Sequence, residues 1–175
     1  MMNGCMSAMG GTPQAELSKG LNQLKSEHPP LLAQLADLLQ LTEQVAKEVD
    51  LEKNFSELKI AVGKFKTALD PHSEREEGVL FPMLGVYIGT TTGPIAVMEY
   101  EHDQAKSKIK AFHIKAEAAQ LSIEEKKSLA GLIKDAYFIL TEHFSKEENV
   151  LFPMAERMLT EKEKEELYQK IQEIK

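Results

Sequence analysis

The sequence is short of cysteine and of basic residues. Cys5 is the only cysteine, so one chain can form neither an internal disulfide nor a thiolate metal cluster. Lysine and arginine together number 21, against 28 aspartates and glutamates. Because phosphate binding needs clustered positive charge, we expect no nucleic-acid-binding face. Residues 1–11 contain no basic residue and no apolar run, which predicts neither a secretory signal nor a membrane anchor. We therefore expect a cytoplasmic protein that binds neither nucleic acid nor membrane.

The residues that are abundant favour helices. Apolar residues make up 42% of the 175 residues, which is enough for one domain with a full core. They recur three and four positions apart, as in Leu17, Leu21 and Leu24, and this is the periodicity of a buried helix face. No segment alternates apolar and polar residues as a half-buried strand does. The sequence therefore predicts an all-α fold.

Proline, glycine and capping residues divide the chain into helices. We expect a short leader helix before Pro29-Pro30, a pair that should either kink a long helix or open the next one. Capping-box patterns begin at Ser122 and Thr160. The predicted segments are a helix from about Asn54 to Leu84, a loop from Gly85 to Gly93, and helices from Pro94 to about Gln120, from Ser122 to about Leu159 and from Thr160 onward. The predicted division is an otherwise flexible leader at 1–24, a bundle at 25–160 and a packed tail helix at 161–175.

A twelve-residue segment occurs twice in the chain. The segments that begin at His72 and His143 are identical at eight of twelve positions, at an offset of 71. A Glu-His pair precedes each copy, because His28 lies 44 residues before His72 and His102 lies 41 residues before His143. Two such hairpins related by a pseudo-two-fold axis form an up-down-up-down four-helix bundle, whose interior collects side chains from facing helices.

The histidine and glutamate of each copy share one helix face. Residues four apart project from the same side of a helix, so His72 with Glu76 and His143 with Glu147 point in the same direction. Apolar neighbours at helical spacing predict that this face is buried. These neighbours are Val62, Phe65, Leu69, Val79, Leu80 and Met83 in the first copy, and Leu132, Ala136, Ile139, Leu140, Val150, Leu151 and Met154 in the second. The upstream histidines lie on similar stripes, His28 with Leu21, Leu24, Leu31, Leu32 and Leu35, and His102 with Ile95, Met98 and Ile109.

Two carboxylates in one core require compensation by cations or by protonation, because burying an unpaired carboxylate is costly. Imidazole and carboxylate donors suit iron, manganese or zinc, and the lack of thiolate argues against copper(I) and iron–sulfur sites. We therefore predict a dinuclear metal site. The predicted ligands are His28 and His72 on one ion, His102 and His143 on the other, and Glu76 and Glu147 as bridges.

Other polar residues near these positions have open or structural roles. Glu77 and Glu148 lie one residue off the buried face, and we interpret them as solvated or as partners of the ligands, with direct ligation left open. Glu99 is an alternative extra ligand, three residues before His102. His113 lies eleven residues beyond His102, about 16 Å along a helix, so we expect a structural role for it. We expect Cys5 to be inert.

At these positions the sequence resembles the haemerythrin-like, HHE cation-binding family. The residues that carry the resemblance are His28, His72-x3-Glu76, His102, His143-x3-Glu147 and the Leu-Phe-Pro that ends each copy. The resemblance covers residues 25–160 and implies a non-haem di-iron centre with a bridging oxo or hydroxo group. The same donors would also suit manganese or zinc. Members of the family include oxygen carriers, sensors, iron-storage or iron-sensing modules and iron–sulfur repair proteins.

Two positions depart from the oxygen-carrying members. Those proteins have a further histidine one turn before the third-helix histidine, where this chain has Met98, and an aspartate five residues after the fourth-helix histidine, where it has Glu148. The set of four histidines and two glutamates is more similar to the repair and iron-sensing branches. Repair proteins usually add a cysteine-bearing N-terminal domain, whereas the leader here is short.

We predict from these observations a non-haem di-iron protein that binds or senses a small ligand (oxygen, nitric oxide or peroxide) or iron itself. A di-iron enzyme or repair factor, acting on peroxide, nitric oxide or iron–sulfur centres, is the alternative, and a metal-free helical interaction module is a third. A ferritin-like oxidase needs Glu-x-x-His twice. Glu99-x-x-His102 fits once, but Leu140 stands at the corresponding position before His143. The sequence predicts no oligomeric state.

Overall fold

The computed structural model describes residues 16–175, and every regular element in that range is helical. Eight α-helices follow one another, and two short π-helical segments interrupt the second and fourth long helices. The α-helices are α1 (Lys19–Ser26), α2 (His28–Ala46), α3 (Leu51–Arg75), α4 (Phe81–Ile88), α5 (Pro94–Ala116), α6 (Ile123–Lys146), α7 (Phe152–Met158) and α8 (Glu161–Gln172), and the π segments are Glu76–Leu80 and Glu147–Leu151. The expectations for the first part of the leader and for Cys5 lie outside the described residues.

Four long rods form the up-down-up-down bundle that the sequence predicted. They are α2, α3 continued through its π segment into α4, α5, and α6 continued through its π segment into α7. Helix α2 packs on α3 and α6, and α5 packs on α6 and α3, which closes the four rods around a core. One apolar cluster, with Leu35, Phe65 and Phe112, fills the end of the bundle near the α5–α6 turn, and a second, with Leu24, Phe81 and Phe152, fills the opposite end.

The predicted helix starts are confirmed at three places. Pro29 lies in the first turn of α2, where a missing N–H costs no hydrogen bond, so the proline pair opens a helix and does not kink one. Ser122 and Thr160 each accept a hydrogen bond from the backbone N–H of the glutamate three residues later, and that glutamate bonds back to the cap residue. These reciprocal contacts satisfy amide groups that a helix start would otherwise leave without partners.

Two predicted boundaries differ from the structure at the turn between α4 and α5. Gly85 lies inside α4 and not in a loop, because the glycine that ends the helix is Gly89, whose φ of 78° lies in the left-handed region. Gly85 allows the Thr90 side chain to pack closely against the backbone of α4, since a Cβ built at Gly85 would lie 2.5 Å from that side chain. Helix α5 also ends at Ala116, before the predicted Gln120.

The two π segments were not predicted. The N–H of Phe81 bonds to the carbonyl of Glu76, and the N–H of Phe152 bonds to that of Glu147, five residues back in place of four. A proline follows each of these phenylalanines, at 82 and 153, and it has no N–H with which to continue the α-helical pattern. The wider turn therefore places the repeated glutamates at a local change of helix register, a feature often found at functional sites.

The predicted burial of Val150 is wrong. Its counterpart Val79 is 8% exposed, because α8 packs against the first π segment, whereas Val150 on the second π segment is 48% exposed. Leu32 is also exposed, although the stripe around His28 predicted it in the core.

Helix α8 packs against α1 beside the bundle. Its buried residues are Leu167 and Ile171, and Gly20 of α1 permits the contact, since a Cβ there would lie 3.1 Å from the Leu167 side chain. Among residues 16–175, no helix combines the length and the apolar character that crossing a bilayer requires. The division into leader, bundle and tail domains stays a prediction.

Candidate metal centre

The six predicted ligands lie at one level of the bundle and are all buried. His28 begins α2, His102 lies within α5, and His72 and His143 lie in the last turns of α3 and α6. Glu76 and Glu147 are the first residues of the two π segments. Side chains from all four rods therefore enter the same part of the core.

These six residues form two overlapping groups of donor atoms. One group contains Glu76, His102, His143 and Glu147, the other contains His28, His72 and Glu147, and the donor atoms within each group lie within 4.8 Å of one another. Glu99 and His113 belong to neither group, and His113 is exposed. The geometry thus unites the predicted set.

Each buried carboxylate lies between histidines from different hairpins. An oxygen of Glu76 is 3.1 Å from Nε2 of His72 and 3.5 Å from Nε2 of His102. The corresponding oxygen of Glu147 is 2.8 Å from Nε2 of His143 and 3.7 Å from Nε2 of His28. Each carboxylate is therefore within reach of one histidine from each of the two proposed metal ions.

The opposite nitrogen of every imidazole contacts a carboxylate outside this centre, and we call these four residues the outer carboxylates. The Nδ1 distances are 3.0 Å from His28 to Glu148, 3.2 Å from His72 to Glu27, 2.7 Å from His102 to Glu77 and 2.9 Å from His143 to Glu101. A carboxylate only accepts hydrogen bonds, so each Nδ1–H donates, and Nε2 is the nitrogen that faces the centre, with a free lone pair when the ring is neutral. The outer carboxylates therefore select the tautomer suited to metal binding.

Basic side chains hold three of the outer carboxylates in place. Arg75 donates to both oxygens of Glu27, Lys106 donates to Glu77 at 3.1 Å, and Lys146 donates to Glu101. The charge of these carboxylates is thus balanced on the side away from the centre.

Aromatic rings enclose the histidines on their remaining faces. The ring of His28 stacks on Phe144 with centroids 4.3 Å apart and on Phe152 at 5.7 Å. Phe81 stacks on His102 at 5.8 Å. Rings in these positions limit the motion of the imidazoles.

The inward-facing atoms of the site make no well-formed hydrogen bond, although Nε2 of His72 and of His143 lie 3.1 and 2.8 Å from a glutamate oxygen. These are Nε2 of the four histidines and both carboxylate oxygens of Glu76 and Glu147. Buried polar atoms are almost always hydrogen-bonded, and buried carboxylates without compensation cost several kcal/mol or more. Eight unpartnered atoms directed at one space fit a pair of metal ions that accept nitrogen and oxygen donors.

The two carboxylates differ in how their neighbours titrate. Burial lowers the pKa of His72, but the charge of Glu76 and the hydrogen bond to Glu27 outweigh burial and raise that pKa to about 9. The pKa of Glu76 lies well below its usual range, because the charge of His72 and contact with His102 outweigh burial. Burial is the main reason that the pKa values of His28 and His143, on either side of Glu147, are lowered. Glu147 is therefore flanked by imidazoles that favour the neutral form, and a cation would supply the missing compensation.

Sequence reasoning missed two of the outer carboxylates, Glu27 and Glu101. The signal was present, because each directly precedes a site histidine, but each contacts the histidine of the neighbouring helix. For Glu77 and Glu148, the interpretation as partners of the ligands agrees with their contacts to His102 and His28.

Comparisons with known proteins identify a family and relatives of this chain. The family model of the hemerythrin HHE cation binding domain matches residues 19–155. Proteins called iron-sulfur cluster repair protein YtfE, from Salmonella schwarzengrund, Salmonella paratyphi B and Salmonella newport, are 37% identical to the chain over 100 residues. The alignment covers 53% of this chain and 46% of each relative, so the chain spans about half the length of the curated relatives it matches. Because the family model matches well over half of its residues, this chain belongs to the hemerythrin HHE cation-binding family.

Proposed function

We propose that this protein binds two iron ions and uses them to bind or sense a small ligand such as oxygen, nitric oxide or peroxide, or to sense iron itself. The observation that carries the proposal is the convergence of eight buried, unpartnered donor atoms from six residues. The proposed ligands are His28 and His72 for one ion, His102 and His143 for the other, and Glu76 and Glu147 as bridges, with an oxo or hydroxo group as a further bridge.

Three further features support iron. Nitrogen and oxygen donors without thiolate suit iron, manganese or zinc. The position of each carboxylate between histidines of the two hairpins is what a bridging ligand requires. Membership of a cation-binding hemerythrin family favours iron over the other two metals.

The protein's own residues keep the centre ready for metal. The outer carboxylates hold the Nδ1 protons, so the four Nε2 atoms face the centre without rearrangement of the rings. Phe81, Phe144 and Phe152 stack on imidazole rings and limit their motion. When bound, the two ions would supply open coordination positions for a small ligand and exchange electrons with it.

Binding and turnover distinguish this function from an enzyme. The reduced, iron-loaded protein is mixed with excess peroxide, nitric oxide or oxygen in the presence of an electron donor. We expect one rapid stoichiometric spectral change with little consumption afterwards. Sustained turnover far above that of free iron would overturn the non-enzymatic assignment and favour a peroxide or nitric oxide reductase.

Repair of iron–sulfur centres is the second candidate, because the relatives at 37% identity carry that function in their names. The test is incubation of the iron-loaded chain with a damaged or cluster-free iron–sulfur protein, followed by measurement of cluster absorbance. If this chain acts in repair, recovery should exceed that obtained with equal free iron. The matched control is Glu76→Ala, which should lack a complete iron pair and give no excess recovery.

A further inference from the structure

The internal repeat is broken at one buried position next to the metal centre. The offset of 71 that aligns His72 with His143 aligns Ser73 with Phe144. Both side chains are buried, and both directly follow a site histidine. A small hydroxyl in one half of the molecule thus corresponds to a large aromatic ring in the other.

Phe144 shows what occupies this position in the second copy. Its ring lies 4.3 Å from that of His28 and nearly parallel to it, and its centroid is 5.7 Å from His72 and 5.8 Å from His143. The ring therefore fills the space among three of the four imidazoles.

The repeat predicts the corresponding surroundings for Ser73 in the other half. Phe144 on α6 contacts His28 on α2. The equivalent pair in the other half is Ser73 on α3 and His102 on α5, two helices that also pack together. A hydroxymethyl group in place of a benzyl group fills far less of that space. By this correspondence, the side chain at position 73 obstructs the centre less than the side chain at position 144 does.

The hydroxyl of Ser73 has no partner. Among residues 16–175, ten buried side-chain atoms lack a hydrogen bond, eight of them belong to the six proposed ligands, and the remaining two are the hydroxyls of Ser18 and Ser73. A buried serine within a helix commonly bonds back to the carbonyl four residues earlier, and Ser73 does not. Because buried polar groups are nearly always satisfied, this hydroxyl is available to a bound molecule.

We propose that Ser73 donates a hydrogen bond to the small ligand of the centre and that the ligand binds on the His102 side. The inference rests on the proposed di-iron function. The ligand class that fits is a small anion or polar diatomic molecule with a hydrogen-bond-accepting atom. Phe144 closes the pseudo-symmetric position, so the two ions would differ in their access to ligand although their protein donors are alike.

Azide titration of the oxidised, iron-loaded protein tests this assignment, with binding followed by visible absorption. Iron content and circular dichroism are measured first for each variant. Ser73→Ala removes the donor and should weaken azide binding about tenfold, the effect of one hydrogen bond to a charged group. Ser73→Phe restores the repeat and should leave two irons per chain but prevent azide binding at concentrations that saturate the parent. Ser145→Ala, an exposed serine two residues after His143, is the matched control and should bind azide like the parent.

The outcomes separate the two proposals. A parent chain without two irons would refute the di-iron function and this inference together. Two irons per chain, with Ser73→Ala and Ser73→Phe both within twofold of the parent in azide affinity, would refute the role of Ser73 alone and leave the metal centre intact. If Ser73→Phe does not fold, the Ser73→Ala comparison decides.

Discussion

The outer carboxylates allow a graded prediction about iron affinity. Changing Glu101 to glutamine removes the negative charge that lies beside Nδ1 of His143. The change keeps the size of the side chain and an oxygen that can accept the hydrogen bond. The charge makes the imidazole a stronger donor to metal, and the hydrogen bond fixes its tautomer. We therefore expect Glu101→Gln to fold normally and to bind iron more weakly.

The size of the effect follows from exposure. Loss of such a partner typically lowers metal affinity by about ten- to a hundredfold, and water screens a charge more strongly as its exposure increases. Glu101 is 13% exposed and Glu77 is 35% exposed. We expect the loss of iron affinity to lie near the upper end of that range for Glu101→Gln and near the lower end for Glu77→Gln.

Competition with a ferrous chelator under anoxic conditions measures these affinities. Glu142→Gln is the matched control, because it makes the same charge change at an exposed position next to His143. An iron affinity of Glu101→Gln equal to that of Glu142→Gln, with both variants folded, would refute the role assigned to the outer carboxylates.

Three further predictions concern stability and protons. Iron at about 1,000 times its dissociation constant should stabilise the folded protein by about 4 kcal/mol. In calorimetry, the melting temperature of a chain of this size should then rise by about 8–16 °C. Equal melting temperatures of verified metal-free and iron-loaded protein would contradict burial of the carboxylates. Because the pKa of His72 is raised to about 9, this imidazole is protonated in the metal-free protein at pH 7. Zinc loading should displace the proton, and a pH indicator dye detects its release. Glu27→Gln, which removes one cause of the raised pKa, should release fewer protons, and unchanged release would argue against this pairing. Leu167→Ala in the buried face of α8 should cost about 2–5 kcal/mol in denaturant unfolding, and a cost no larger than that of the exposed Gln169→Ala would show that α8 does not support the fold.

Much of the architecture could be predicted because the signals are local. Ser122, Thr160 and Pro29 act within one helical turn, so capping and proline rules place these helix starts correctly. The His-x3-Glu spacing predicts a shared face in the same way, and the structure unites all six residues. Their roles as ligands stay a prediction until metal is measured.

The features that were missed depend on contacts between distant segments. The exposure of Val150 and the burial of Val79 differ because α8 covers only one of two similar sequences. The pairing of Glu27 with His72 and of Glu101 with His143 joins neighbouring helices, which spacing along one helix cannot predict. The π segments require an extra residue per turn that a 3.6-residue periodicity does not include.

Iron content of four glutamate variants tests whether Glu76 and Glu147 bridge two metal ions. Each copy has adjacent glutamates, of which only Glu76 and Glu147 face the centre, whereas Glu77 and Glu148 contact the outer nitrogens of histidines. With folding verified and iron saturating, we expect about two irons per chain in the parent, in Glu77→Ala and in Glu148→Ala, and disturbance of both ions in Glu76→Ala and in Glu147→Ala. Full loading of Glu76→Ala and Glu147→Ala would contradict the bridging assignment, and a parent with less than one metal per chain would contradict the dinuclear site.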